Sequence, residues 1–200
     1  LNNYSYNKLK KNRNTKNINI YNNFDSFNKI FVNKVDYVMS AITGIDGLKP
    51  TLDIIQWSKK IAIANKEAII CGWKLIEKEL KKNKTSFVPV DSEHFSIWYA
   101  LKNNKIKNIE NAIITASGGP LLNVPLSKFK NLSKKKVLNH PNWKMGKKIT
   151  VDSATMMNKV FEVIEAKNIF NLDYKKISIL IHPKSYFHAI VKFDNGMTKI

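Results

Sequence analysis

Asp91, Glu93 and Glu162 are three carboxylates in a chain with few acids, and Ser153, Asn158 and Lys159 lie just ahead of the third. Three carboxylates can hold a hard divalent cation. Mg²⁺ and Mn²⁺ favour such oxygen donors, whereas Zn²⁺ favours nitrogen or sulfur. A hydroxyl, an amide and an ammonium can hold a phosphate beside that cation. The pattern points to a phosphorylated substrate chelated to Mg²⁺ or Mn²⁺.

The spacing supplies the physical reason. Asp152 or Ser153 is a good N-cap, and the run from Ala154 onward reads as a helix. Its first turn favours an anion through free N–H groups and the helix dipole. Asn158 and Lys159 lie four and three residues before Glu162, on neighbouring helix surface. Asp91 and Glu93 alternate beyond an expected strand at 87–90, and alternate residues of an extended chain point the same way. Read alone, Asp-Ser-Glu is a polar loop; the conjunction carries the argument.

Three further segments fit one pocket. Ser117-Gly118-Gly119-Pro120 follows an expected strand, where glycines let backbone N–H groups approach an anion. Asn65-Lys66-Glu67 follows another, at the end where parallel sheets bind ligands. His140-Pro141-Asn142-Trp143-Lys144-Met145-Gly146 sits in a long connection of the kind that forms lids.

Ala64–Glu67, Val90–His94, Thr115–Pro120, His140–Gly146 and Lys147–Lys159 occur in an order and at spacings that resemble the 1-deoxy-D-xylulose 5-phosphate reductoisomerase family, from about Val35 to the C-terminus. The resemblance implies a rearrangement of that phosphorylated ketose, then reduction by NADPH, giving 2-C-methyl-D-erythritol 4-phosphate for isoprenoid synthesis. It assigns the metal to Asp91, Glu93 and Glu162. It assigns substrate binding to Lys66, Ser92, Glu93, Ser117, His140, Trp143, Ser153, Asn158, Lys159 and Glu162. Lys66, Glu93 and His140 are the implied catalytic groups, and Asn65, Glu67, Met145 and Gly146 are implied to face NADPH. His94, His182 and His188 fall outside the family's ligand positions and are expected to be structural or to support the ligands from behind, not to bind the metal. The family implies a homodimer in the cytoplasm, or in a plastid-type organelle of a eukaryote, with no nucleic-acid or membrane partner. Two departures stand out: Val160-Phe161 replaces a usual Gly-Leu pair, where Val160 could crowd the helix, and Ala116 stands where Gly is common.

The elements needed to position these residues read as α/β. Strands are expected at 35–42, 61–64, 87–90, 112–115, 177–181 and 187–193. Helices are expected at 52–60 (begun near Pro50), 67–81, 95–101 and from Ser153 onward. Residues 1–30 receive no regular assignment. The expected fold is the C-terminal part of a Rossmann-like NADPH-binding domain (residues 1–85) followed by an α/β catalytic domain (86–200), with a linker-like Lys-Lys-Asn-Lys-Thr-Ser stretch between them. The glycine-rich turn that cradles a dinucleotide is missing from this sequence, as are the family's C-terminal helices, so a catalytically incomplete fragment is the alternative reading.

Composition bounds the rest. Lys and Arg total 34 against 15 Asp and Glu, a formal charge of +19. Such a charge raises a nucleic-acid hypothesis, but the lysines read as scattered among Asn and Ile. The single Cys71 excludes an internal disulfide and is expected in a helix core. No apolar run approaches the ~20 residues of a membrane span, and the basic start at Leu1 has no secretory pattern.

Overall fold

The computed structural model describes residues 3–12, 14, 17–22, 27–102 and 104–200. The N-terminal stretch left without assignment contains α1 (Asn3–Lys10) and α2 (Phe27–Ile30), neither with a buried residue. Leu1 lies outside the described residues. Among the described residues, no helix is long and apolar enough to cross a membrane.

Short apolar runs bounded by polar residues become a parallel sheet, as its buried faces require. β1 (Val38–Ser40), β2 (Lys60–Ile63) and β3 (Ser86–Pro89) lie in that order, with Ser40 opposite Ile63 and Ile63 opposite Pro89. The crossovers are α3 (Leu48–Ile55) and α4 (Lys66–Asn83). Ile55, Ile61, Ile63 and Ile76 form the centre of this lobe's core.

Several boundaries differ from the sequence reading. β1 is three residues long, because Val35 makes only an isolated bridge to Ser58 and the chain turns away before Gly44 (φ +76). The first crossover helix starts at Leu48, with Pro50 tolerated in its first turn, and ends at Ile55. Ser58 Oγ then donates to the Ile54 carbonyl at 2.6 Å, and Lys60 already belongs to β2. The Lys81–Ser86 stretch is not a linker. It is the last turn of α4, a left-handed cap at Lys84 (φ +52), and the first residue of β3. Thr85 is buried there, its Oγ1 2.9 and 2.8 Å from the carbonyls of Ile55 and Ser58. Cys71 is exposed on α4 rather than in its core.

The second sheet is mixed. Its order is β5 (Ile177–Ile181), β4 (Ile109–Ala116), β6 (Ala189–Phe193), β7 (Thr198–Lys199), with β4 parallel to β5 and antiparallel to β6. α5 (Ser92–Ala100) follows β3, and α6 (Lys134–Val137) and α7 (Lys147–Ala154) lie in the long connection after β4. α8 (Met157–Phe170) packs against both α4 and α5. Ile97, Ile109, Ile114, Phe170, Val191 and Phe193 form this lobe's core, and Ile169 of α8 packs against both cores. Both sheets are therefore tied to one helix.

Two corrections bear on the site. Asp91 is the N-cap of α5 and Glu93 lies in its first turn, so they do not alternate along a strand. Asp152 and Ser153 do not cap a helix; they occupy the last turn of α7, where Lys148 and Asp152 form an i,i+4 ion pair at 2.8 Å. The break falls at Met156, in the left-handed region (φ +61), and α8 begins at Met157.

Candidate active site

Chain topology brings the carboxylates together. Lys66 follows the C-terminal end of β2, and Asp91 follows that of the neighbouring β3. Helix α8 crosses in front of both and presents Asn158, Lys159, Glu162 and Glu165 on one face, at the spacing of successive turns. Ligand atoms of Asp91, Glu93 and Glu162 lie within 4.8 Å of one another. Local geometry differs from expectation, but the three residues converge as expected.

Two lysines run through this cluster. Lys66 Nζ lies 2.9 Å from Asp91 Oδ2, 3.8 Å from Glu162 Oε1 and 4.0 Å from Glu165 Oε2. Lys159 Nζ lies 2.9 Å from Glu93 Oε1, contacts Glu162 Oε2 and donates to the Thr115 carbonyl. Asn158 donates to Glu162 Oε1 and accepts from Lys66 Nζ at 2.8 Å.

Were all four carboxyls ionised against the two ammoniums, two negative charges would be left over in a buried space, where Glu162 and Glu165 are each 1 % exposed. Burial pushes Glu162 up to about 8, with repulsion from Glu93 next in weight. Burial and the Asp91 charge push Glu165 up to about 9. Burial pulls the Lys66 and Lys159 ammoniums down, but their carboxylate neighbours outweigh it and both pKa values rise. Asp91 goes the other way: burial would raise it, yet Lys66 and His94 hold it below its ordinary value.

These observations fit a divalent cation. Asp91 Oδ2 and Glu162 Oε2 are buried without a hydrogen-bond partner and have only ion-pair contacts. The donors are all oxygens, which suits Mg²⁺ or Mn²⁺, and a 2+ ion would balance the two carboxyls that burial otherwise keeps protonated. Behind them, His94 and Glu165 form a second group with Asp91. His94 Nε2 donates to the Glu162 carbonyl at 2.8 Å and so fixes the backbone that carries a proposed ligand.

A cavity of about 380 Å³ opens beside the cluster. Its lining includes Asp91, Ser92, Glu93, Ser117, His140, Trp143, Met145, Ser153, Asn158, Lys159 and Glu162. These are eleven of the fifteen residues expected at the site. The other four sit elsewhere. Lys66 reaches the carboxylates from behind. Glu67 pairs with Lys148 of α7 at 3.3 Å. Gly146 caps the start of α7. Asn65 is 4 % exposed and caps α4 by accepting from Ala68 N; its amide donates to the carbonyls of Ile42 and Gly44. Its amide is committed to that loop and its oxygen to the first turn of α4.

The cavity rim is tightly specified. Gly119 has φ +66, and a Cβ there would sit 2.5 Å from the Ser153 carbonyl oxygen; only glycine lets the turn after β4 lie against α7. Ser117 Oγ accepts from Gly119 N at 3.2 Å. His140 Nδ1 accepts from the backbone N–H groups of Asn142 and Trp143, both at 3.1 Å. Its Nε2 therefore carries the proton and faces Ser117 Oγ at 3.2 Å. Burial lowers the His140 pKa, so this ring is a neutral donor toward the cavity. The helix start expected at Ser153 lies instead at Met156–Asn158, where α8 begins without a side-chain cap.

The sequence reading missed Thr115, Met156, Ser185 and His188 of the lining, and Glu165 behind it. Ser92 Oγ donates to Glu93 Oε2 at 2.8 Å and lies 3.0 Å from His188 Nδ1. Val160 is 45 % exposed, so it does not crowd the helix against the sheet.

Comparisons with known proteins place the chain in a family. Residues 87–170 match the family model of the 1-deoxy-D-xylulose 5-phosphate reductoisomerase C-terminal domain, and residues 1–72 match that of 1-deoxy-D-xylulose 5-phosphate reductoisomerase. A protein of that name from Pelagibacter ubique is 70 % identical over 185 residues, 92 % of this chain and 48 % of that protein. Another, from Wolbachia pipientis, is 49 % identical over 81 % of this chain and 42 % of its own length. The solved enzyme of Zymomonas mobilis in complex with NADPH superposes with a TM-score of 0.86 at 32 % identity, covering 98 % of this chain and 50 % of that one. A reductoisomerase in complex with NADPH, fosmidomycin and magnesium gives 0.75 at 39 % identity, over 82 % and 43 %. The chain spans about half the length of the curated relatives it matches.

Proposed function

Because the chain belongs to the 1-deoxy-D-xylulose 5-phosphate reductoisomerase family, we propose that it forms the metal- and phosphate-binding part of an enzyme converting 1-deoxy-D-xylulose 5-phosphate to 2-C-methyl-D-erythritol 4-phosphate with NADPH. One observation carries this reading: Asp91, Glu93 and Glu162 converge within 4.8 Å on the wall of a cavity also lined by Ser117, Ser153, Asn158 and Lys159. The first three suit a cation and the other four a phosphate. A relative solved in complex with NADPH, fosmidomycin and magnesium supports the cation and NADPH in this reading.

In this reading Asp91, Glu93 and Glu162 hold Mg²⁺ or Mn²⁺, which when bound polarises the substrate's ketone and hydroxyl oxygens as a Lewis acid. Ser117, Ser153, Asn158 and Lys159 grip the phosphate, and that remote binding positions the reacting end. His140 donates a hydrogen bond from Nε2 to a substrate oxygen. Trp143, half exposed on the rim, closes over the substrate and excludes water. Glu93 and Lys66 assist proton movements. Ser92 touches substrate and orients Glu93 through their hydrogen bond. Glu67, Met145 and Gly146 face NADPH, and Asn65 acts there by holding the Ile42–Gly44 loop. The division into residues 1–85 and 86–200 separates the cofactor side from the metal side, with β3 completing the first sheet.

The reading includes a homodimer and a cytoplasmic setting. An exposed aliphatic edge supports the dimer: Ile179, Leu180 and Ile181 of edge strand β5 are each more than 40 % exposed, the kind of edge proteins cover.

Glu162→Gln in the full-length protein tests the proposal. Turnover and Mg²⁺ affinity should fall by more than the ~10–100-fold that even outer-sphere partners of a metal ligand cost. Near-normal turnover with unchanged Mg²⁺ dependence would remove Glu162 from the ligand set.

A further inference from the structure

The side chains suited to the phosphate are the ones now holding the carboxylates. Lys159 Nζ is 2.9 Å from Glu93 Oε1 and also contacts Glu162. Asn158 is used at both ends of its amide: Nδ2 donates to Glu162 Oε1, and Oδ1 accepts from Lys66 Nζ at 2.8 Å. Lys66 in turn is paired with Asp91. Lys159 is 6 % exposed, so water cannot readily replace a lost partner, and an unpaired buried charge is costly.

We propose that cation binding and phosphate binding are coupled by an exchange of partners, in which Lys159 and Asn158 leave the carboxylates when a divalent cation takes them and turn to the phosphate. The inference deepens the proposed site and rests on that reading of it. An ammonium and a 2+ ion repel one another, and at a few ångströms in a buried site that repulsion is strong. One must yield the shared oxygens. The freed ammonium then needs a new anion, and a phosphate in the same cavity supplies it. The reverse holds equally: a phosphate that draws Lys159 away uncovers the oxygens of Glu93 and Glu162. Lys159 can make the exchange without moving the backbone, because its four-carbon stem is flexible. It stands in the first turn of α8, just after the Met156 break.

Calorimetric titration of the full-length protein tests this. Inorganic phosphate is titrated with and without saturating Mg²⁺, and Mg²⁺ with and without saturating phosphate. Each ion should tighten the other by one common factor, about tenfold or more, because such coupling is reciprocal. Direct attraction between the ions also couples them, so Lys159→Met decides between the two. With its competitor removed, the carboxylate site should bind Mg²⁺ alone about tenfold tighter than wild type, and the coupling factor should shrink. A lysine that merely held the site in shape would give the opposite, weaker Mg²⁺ binding. Lys66→Met should also tighten Mg²⁺, so the test does not hang on one variant folding. Independent binding of the two ions to the wild type, or weaker Mg²⁺ binding in both folded variants, overturns the inference. Failure to bind phosphate at any Mg²⁺ concentration overturns the reading of the site itself, and this inference with it.

Discussion

At the scale of single residues, the site is governed by an excess of buried carboxylate. Glu165 shows the consequence most clearly, since burial and the Asp91 charge lift its pKa from 4.5 to about 9. Between those values the folded chain keeps a proton on Glu165 that the unfolded chain has released. The unfolded state then binds fewer protons, so stability falls as pH rises across the window. Glu162, raised to about 8, contributes with the same sign. In Glu165→Gln the neutral shape is kept and the titration is gone. With a chelator present, its urea midpoint should fall less steeply between neutral and mildly alkaline pH than that of the wild type. Equal slopes would place the retained proton on another group. Glu165 left a trace in the sequence: it is an acid three residues after Glu162 inside an apolar stretch, Val163-Ile164-Glu165-Ala166. A carboxylate placed there on a packed helix needs a reason, and the site supplies it.

At the scale of elements, what was legible was what periodicity writes strongly. The long crossover helix α4, the central strand β4 and the strands β5 and β6 could be read because their apolar positions recur at helix or strand period. The ends were less legible. Asp91-Ser92-Glu93 was placed beyond a strand, although Asp at an N-cap with Glu in the first turn is a helix start; the apolar run before it obscured that signal. The α7–α8 pair read as one helix start at Ser153 because nothing in the sequence announces a left-handed Met156. Eleven of the fifteen expected residues nonetheless line one cavity, because ligand chemistry depends on residue type and chain order more than on whether a carboxylate leaves a strand or a helix. Gly119 is where backbone and site meet. Gly119→Ala must carry a Cβ at φ +66 against the Ser153 carbonyl. The left-handed strain alone costs roughly 1–2 kcal/mol. Thermal unfolding should show that loss, and phosphate affinity should fall with it, since the turn carries Ser117 and the clash moves Ser153. Unchanged stability and affinity would mean that α7 can shift freely.

For the whole molecule, charge is the dominant feature. The lysines read as scattered, yet positions 111–151 hold eight lysines and no acid, and this stretch supplies the cavity rim at Ser117, His140, Trp143 and Met145. The carboxylates within would repel an anionic substrate, while the rim attracts it. Association should therefore depend on salt, because exposed charges are screened beyond about 8–10 Å at physiological ionic strength. In the full-length enzyme, kcat/KM should fall several-fold from low to high salt at constant kcat. Reversing the charges of Lys134, Lys135 and Lys136 should flatten that dependence. A kcat/KM indifferent to salt in both proteins would leave the rim lysines no part in capture. One feature of the fold makes the site observable. Cys71, the single thiol among these 200 residues, is exposed on α4, five residues and about 8 Å of helix rise beyond Lys66. A maleimide dye there rides on the helix whose first residue grips the carboxylate cluster, so the protein carries its own attachment point for an optical sensor of what binds in the cavity.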